Sequence, residues 1–200
     1  MDFSLLAAMA LFAFVTSVTP GPNNLMLLVS GAAFGFKKTI PHMLGISCGH
    51  FVMLLAVGAG LEQLLAMSPR AYPLMKIIGF AYVLYMAWGI ARSTPSRAGQ
   101  EARAHRPLGF VGAALFQWVN PKAWLMAIAY FGNYMPVDAT ASFITATCAM
   151  FSLINLPSIS LWALLGLRLQ AFLQNDARRR IFNSGMAAAL VIAMLPVLFV

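Results

Sequence analysis

The sequence predicts an all-α integral membrane protein: six transmembrane helices in two inverted three-helix repeats, with helices 1 and 4 broken. Three observations predict it. Of 200 residues, 61% are apolar and only 9% charged, whereas a soluble chain carries roughly 25% charged residues. The apolar runs divide into six, each near the ~20 residues that span a bilayer core of ~30 Å. Polar, proline-containing breaks recur midway along the first and fourth runs, one in each half of the chain.

The elements follow in order. Span 1 covers residues 3–36 and is interrupted by Thr19-Pro20-Gly21-Pro22-Asn23-Asn24. Asp2 is the only charge before Lys37, so there is no basic leader, and the run is expected to be a retained span. The segment Gly35-Phe36-Lys37-Lys38-Thr39 is expected as a loop, then span 2 over residues 40–61. Met67-Ser68-Pro69-Arg70 is read as a short loop and residues 72–90 as span 3. Residues 92–107 form a basic linker with Arg92, Arg97, Arg103 and Arg106 against the single Glu101. Span 4, residues 108–134, contains Gln117-Trp118-Val119-Asn120-Pro121-Lys122. After the turn Met135-Pro136-Val137-Asp138, span 5 covers residues 139–165 and contains Asn155-Leu156-Pro157. A basic loop from Arg168 to Arg180 leads to span 6, residues 181–198. The domain reading is therefore 1–91 and 108–200 as two repeats, joined by the linker 92–107. Strands are not expected, because no run sustains alternate-residue hydropathy and only helices satisfy their own backbone in lipid.

Charge orients the chain. The loops after spans 1, 3 and 5 hold Lys37, Lys38, Arg92, Arg97, Arg103, Arg106, Arg168, Arg178, Arg179 and Arg180. The other face holds Arg70, with Lys76 just inside span 3. Positive residues favour the cytoplasm, so both termini are expected outside. The net charge of +8 is thus a matter of topology, not of nucleic-acid binding.

The chemistry concentrates at the breaks. Pro20 and Pro22 each remove a backbone donor and disfavour the helical turn before them. Gly21 between them widens the backbone's choices. Carbonyls and amides freed at mid-membrane depth are tolerated only against protein or an aqueous cavity. Paired breaks in inverted halves point to a transporter site near the midplane. Asn23, Asn24, Asn120 and Asn155 each offer donors and an acceptor in apolar surroundings, and Gln117 lies one turn before Pro121. Lys122 lies about 14 residues into span 4, or about 20 Å at 1.5 Å per residue, which is long for snorkelling. A charge there costs several kcal/mol unless solvated or paired, so it suits a substrate carboxylate or a proton-coupling group. His50 is the only histidine placed within the hydrocarbon and is the second candidate proton carrier. Asp138 and Glu62 are placed at the outer ends of spans, where interfacial solvation is their default role.

The remaining motifs read as structural. Gly31-x-x-x-Gly35 and Gly45-x-x-x-Gly49 permit close helix approach and are expected to pack the first repeat internally. Cys48 and Cys148 are expected as small buried side chains without metal-ligand spacing. Trp88, Trp118, Trp124 and Trp162 are scattered and carry no substrate role. There is no P-loop, dinucleotide glycine pattern or metal cluster, so neither an enzyme nor a cofactor is expected.

Thr19 to Asn24 near the end of a long first span, followed by Gly35-Phe36-Lys37-Lys38, resembles the LysE/RhtB family of amino-acid exporters. The chain length, the basic segment after span 3 and the Asn120-Pro121-Lys122 element fit that likeness over the whole chain. The resemblance implies a bacterial inner-membrane exporter of amino acids or related metabolites, energised by protons. Within the family, Thr19 to Asn24, the Gly-Phe-basic pair and Gly45-x-x-x-Gly49 are somewhat similar to the cysteine and O-acetylserine exporters. Cys48, His50 and the span 4 segment depart in detail from that group, which leaves the substrate open. The partners implied are a small-molecule substrate, protons and membrane lipid; a homo-oligomer is left open. A passive facilitator and a non-transporting scaffold subunit are the rival readings.

Overall fold

The computed structural model describes residues 3–60, 70–92, 108–136 and 138–199. Eight α-helices account for most of them, and no strand occurs among the described residues. In chain order these are α1 (Phe3–Val18), α2 (Pro22–Phe34), α3 (Phe36–Gly58), α4 (Ala71–Arg92), α5 (Phe110–Phe116), α6 (Pro121–Tyr134), α7 (Ala141–Leu169) and α8 (Asp176–Phe199). Short 3₁₀ turns cover Gln117–Val119 and Phe172–Gln174.

Burial is inverted relative to a soluble protein. Asn24, Gln117, Asn120 and Asn155 are buried, while Leu153, Tyr85 and Ile192 are 73%, 71% and 62% exposed. Outward apolar faces with inward polar groups suit a lipid surround. Helices α3 and α7 are each long and apolar enough to cross a membrane, with mean hydropathy 1.7. The α1–α2 pair passes the same test as a unit, bent by 55° at its break. Ile77–Arg92 in α4 and Phe110–Val119 are shorter apolar stretches.

The breaks have local causes. Gly21 is extended and precedes Pro22, which opens α2 where a missing N–H costs nothing. Pro121 opens α6 in the same way, and Asn120 caps that helix by accepting from Lys122 N at 3.2 Å.

Several boundaries differ from those expected. The loop at residues 35–39 shrinks to Gly35, whose φ of +80° turns the chain within one residue. Lys37, Lys38 and Thr39 are therefore helical. As expected of a span that contains it, Asn155-Leu156-Pro157 does not interrupt α7; hydroxyls of Ser158 and Ser160 bond back to the Ile154 and Leu156 carbonyls beside it. The basic loop also shortens: Arg168 ends α7 and Arg178 to Arg180 open α8, where Asp176 pairs with Arg179 and Arg178 lies over Phe172. Of the linker 92–107, only Arg92, stacked on Trp88, is described. Arg97, Glu101, Arg103, Arg106, Glu62 and the 67–69 turn lie outside the described residues, as does the side chain of Lys76.

The glycine motifs join the two halves instead of packing one repeat. A Cβ on Gly31 would lie 2.1 Å from Ala163 O, and one on Gly166 2.1 Å from Leu28 O, so α2 and α7 touch backbone to backbone. Gly45 meets Phe110 O on α5 in the same manner, and Gly49 meets Ala114. Gly35 contributes its turn and no close contact. Cys148 is buried, but Cys48 is exposed on the outer face of α3, contrary to expectation.

Two apolar clusters bracket a polar layer. One joins α1, α3, α6 and α7 around Met9, Met53, Tyr130 and Phe151. The other joins α2, α3, α5 and α7 around Leu27, Ile46, Ala113 and Ile159. A third, around Val83 and Leu190, ties α4 to α8.

Candidate functional site

Between those clusters lies a small cavity of about 20 Å³, framed by the α1–α2 break, the 3₁₀ turn, α6, α3 and α7. Gly21, Asn23, Asn24, Gln117, Asn120, Lys122 and Asn155 all line it, together with His50. Pro20, Pro22 and Pro121 do not. They act from behind, Pro22 and Pro121 by starting helices and Pro20 by exposing its carbonyl.

A helix ends with carbonyls that have no partner of their own. Those at the end of α1 are met by side chains from three other helices. Asn24 Nδ2 donates to Ser17 O and Thr19 O, both at 2.8 Å. Trp162 Nε1 on α7 donates to Val18 O at 3.0 Å. Lys122 Nζ on α6 donates to Thr19 O at 2.6 Å, Thr19 Oγ1 at 3.0 Å and Pro20 O at 3.2 Å. The lysine charge therefore sits at the negative end of the α1 dipole.

Two further contacts cross between the halves. Asn23 Nδ2 donates to Gln117 Oε1 at 2.8 Å, and Gln117 Nε2 returns a bond to Asn23 Oδ1 at 3.3 Å. The two breaks are thus tied by reciprocal amides. Asn155 accepts from Ser47 Oγ and donates to Ser17 Oγ, both at 3.0 Å, linking α7 to α3 and α1.

Residues 14–199 match the family described as LysE type translocator. The chain belongs to that family. Membership in the LysE type translocators makes it a membrane translocator and not an enzyme. Curated relatives include the cysteine/O-acetylserine efflux protein of Escherichia coli strain K12, 27% identical over 180 residues, which are 90% of this chain and 91% of the relative. The protein of the same name from Salmonella typhimurium is 31% identical over 163 residues, covering 81% of this chain and 82% of the relative. No solved structure matches.

This LysE-family chain also holds buried polar residues that sequence reasoning passed over. His42, one of two buried histidines on α3, is 1% exposed, so His50 is not alone, although only His50 lines the cavity. The reason is the early start of α3 at Phe36, which carries His42 well inside the helix. Neither ring nitrogen of His42 has a hydrogen-bond partner among the described residues. The His50 ring lies tilted against Phe151, with centroids 5.0 Å apart, beside the Ala123 backbone and without a full hydrogen bond. Ser17 and Ser47 were visible as small polar residues in apolar runs, Ser47 one turn before His50. Trp162 gave no signal, because an indole that caps a distant helix is recognised only once the fold brings them together.

Trp162→Phe is expected to keep the packing and lose the bond to Val18 O. It should cost about 1 kcal/mol, read as a small drop in thermal stability of the purified protein. Wild-type stability in this variant would show that the bond contributes nothing.

Proposed function

We propose that this chain is a secondary active exporter of amino acids or closely related metabolites, driven by proton influx across the bacterial inner membrane. The observation that carries the reading is the convergence of amides, a lysine and a histidine on one cavity where the breaks of both halves meet. Cysteine and O-acetylserine are the first candidate substrates, by likeness to the relatives' names.

Six spans follow if α1–α2 and α5–α6 each cross once as broken helices and α3, α4, α7 and α8 cross singly. The packing supports an inverted repeat. Under exchange of the halves α3 pairs with α7 and α4 with α8, and each packs on its counterpart. Likewise α1 packs on α7 as α5 packs on α3. In this arrangement Lys37, Lys38, Arg92, Arg168 and Arg178 to Arg180 share the cytoplasmic face, and both termini lie outside.

The substrate enters from the cytoplasm and binds between the breaks. Asn23, Asn24, Gln117, Asn120 and Asn155 supply the neutral hydrogen bonds that a zwitterion needs. No side chain caps the N-terminus of α2, whose free N–H groups suit a carboxylate. Rocking of one half against the other exposes the site outside. His50 carries the coupling proton, and Lys122 takes part in coupling as a charge that moves between the α1 terminus and the substrate.

The test is transport in proteoliposomes with a panel of amino acids and O-acetylserine, with and without an imposed proton gradient. Saturable export accelerated by the gradient is expected. Alanine at Asn23 or Asn120 should lower it at least tenfold in protein inserted at normal level. Equal rates with and without the gradient would make the protein a facilitator. Transport of nothing by a folded, oriented sample would favour a scaffold subunit.

A further inference from the structure

The seat of Lys122 has a shape that its role as a lining residue does not require. Its ammonium has three donors, and three oxygens of the α1 terminus receive them: Thr19 O, Thr19 Oγ1 and Pro20 O. Among the described residues no acid shares the charge: the ion pair there is Asp176 with Arg179, far along the chain. Gly21 makes room for the arm. A Cβ there would lie 2.5 Å from Lys122 Cδ and 3.1 Å from Nζ. The Gly21 backbone is extended, so this glycine is needed for space and not for conformation. The cavity beside the arm measures about 20 Å³, room for a water but not for an amino acid.

We infer that the carbonyl end of α1 is a primary-ammonium site whose built-in occupant is Lys122, displaced by the amino group of the transported molecule and restored when that molecule leaves. The inference rests on the exporter reading for its substrate. Its chemistry follows from charge. Half a dipole charge balances Lys122 only in part. An incoming zwitterion places its ammonium on the same three oxygens and brings a carboxylate with it. The displaced Nζ pairs with that carboxylate, and withdrawal of the flexible arm opens the volume the substrate needs. When the substrate departs, Lys122 refills the seat and the break remains neutralised. The unloaded carrier then returns with its site satisfied from within. Net export needs that return step, whereas exchange of one substrate for another bypasses it.

The experiment compares net efflux of labelled O-acetylserine with its exchange against unlabelled O-acetylserine, in proteoliposomes. In Lys122→Ala, net efflux should fall at least tenfold further than exchange. Millimolar methylammonium should restore part of the net efflux, at least fivefold, while tetramethylammonium, which has no N–H, should not. Gly21→Ala should show the same split with the lysine present, because its Cβ displaces only the end of a flexible arm. Equal loss of net efflux and exchange in Lys122→Ala, without rescue, would overturn the inference and leave Lys122 as an ordinary contact. If Lys122→Ala does not fold, the ratio in Gly21→Ala decides alone. If the wild type transports no member of the panel, the exporter reading fails separately. Thermal stabilisation of purified Lys122→Ala by methylammonium, and not by tetramethylammonium, then still establishes the ammonium site, and its absence removes it.

Discussion

Gly31→Val and Gly166→Val are expected to be the most destabilising single changes on the α2–α7 contact. At both positions a Cβ would lie 2.1 Å from a backbone oxygen of the facing helix. A backbone cannot rotate aside as a side chain can, so the helices must separate. Overpacking of this kind costs roughly 1–3 kcal/mol for a modest insertion, and valine adds more bulk than the first methyl. The consequence reaches the site, because α7 carries both Trp162 and Asn155, which hold Val18 O and Ser17 Oγ of α1. Separation therefore loosens the α1 terminus as well. The melting temperature in detergent should fall by roughly 5 °C or more at 2–4 °C per kcal/mol. Gly132→Ala is the control. Nothing lies within 4 Å of a Cβ there, and alanine gains up to about 1 kcal/mol of helix propensity over glycine. A Gly31→Val protein that melts with the wild type would show that α2 and α7 do not meet in this way.

Those glycines mark where sequence reasoning reached its limit. Gly-x-x-x-Gly spacing shows that a helix face is small, but the partner is set by the fold, and here Gly31, Gly45 and Gly49 all meet the other half of the chain. Gly35 shares the spacing and does something else, turning the backbone at φ +80°. The helix starts at Pro22 and Pro121 were more legible, since proline removes a donor and fixes φ wherever it occurs. Yet Pro157 lies inside an unbroken helix. Around Gly21 two prolines within three residues remove two donors, and one helix ends and the next begins there.

The polar residues divide in the same way. Asn23, Asn24, Asn120 and Asn155 stood out because an amide in an apolar run must find partners, and the cavity gathers all four. Which partners they find was not legible. Asn24 and Asn120 spend their side chains on helix ends, whereas Asn155 bridges three helices. His42 stood at the very edge of the expected span 2, whereas the helix begins four residues earlier, at Phe36. Lys122 was singled out for its depth, but that it reaches the α1 terminus from α6 depends on a contact across more than half the chain.

Gln117→Leu and Asn23→Leu are expected to lower transport by similar, large factors, and the double variant by less than the product of the two. Gln117 is fully buried and also donates to Ala113 O. Its removal leaves the Asn23 amide without its partner on the opposite break. Asn23 is half-buried and Gln117 fully buried, and leaving such an amide unpaired costs up to about 1–3 kcal/mol, which is roughly five- to 150-fold in rate if the loss falls on the transported state. Interhelical hydrogen bonds in membranes average about 0.6 kcal/mol each. Two reciprocal bonds then set a coupling of about 1.2 kcal/mol in a double-mutant cycle, well above the additivity error of about 0.5 kcal/mol. Independent contacts to the substrate, as opposed to contacts made by the linked pair, predict something different. If Asn23 and Gln117 each bound the substrate independently, their losses would multiply and the coupling would vanish. A coupling near 1 kcal/mol, with substrate affinity changed less than maximal rate, would mean that the amides latch one break to the other and that transport requires the latch. The two residues come from opposite halves of the chain, so such a latch would couple the movement of one repeat to the other at the point where the cavity must open.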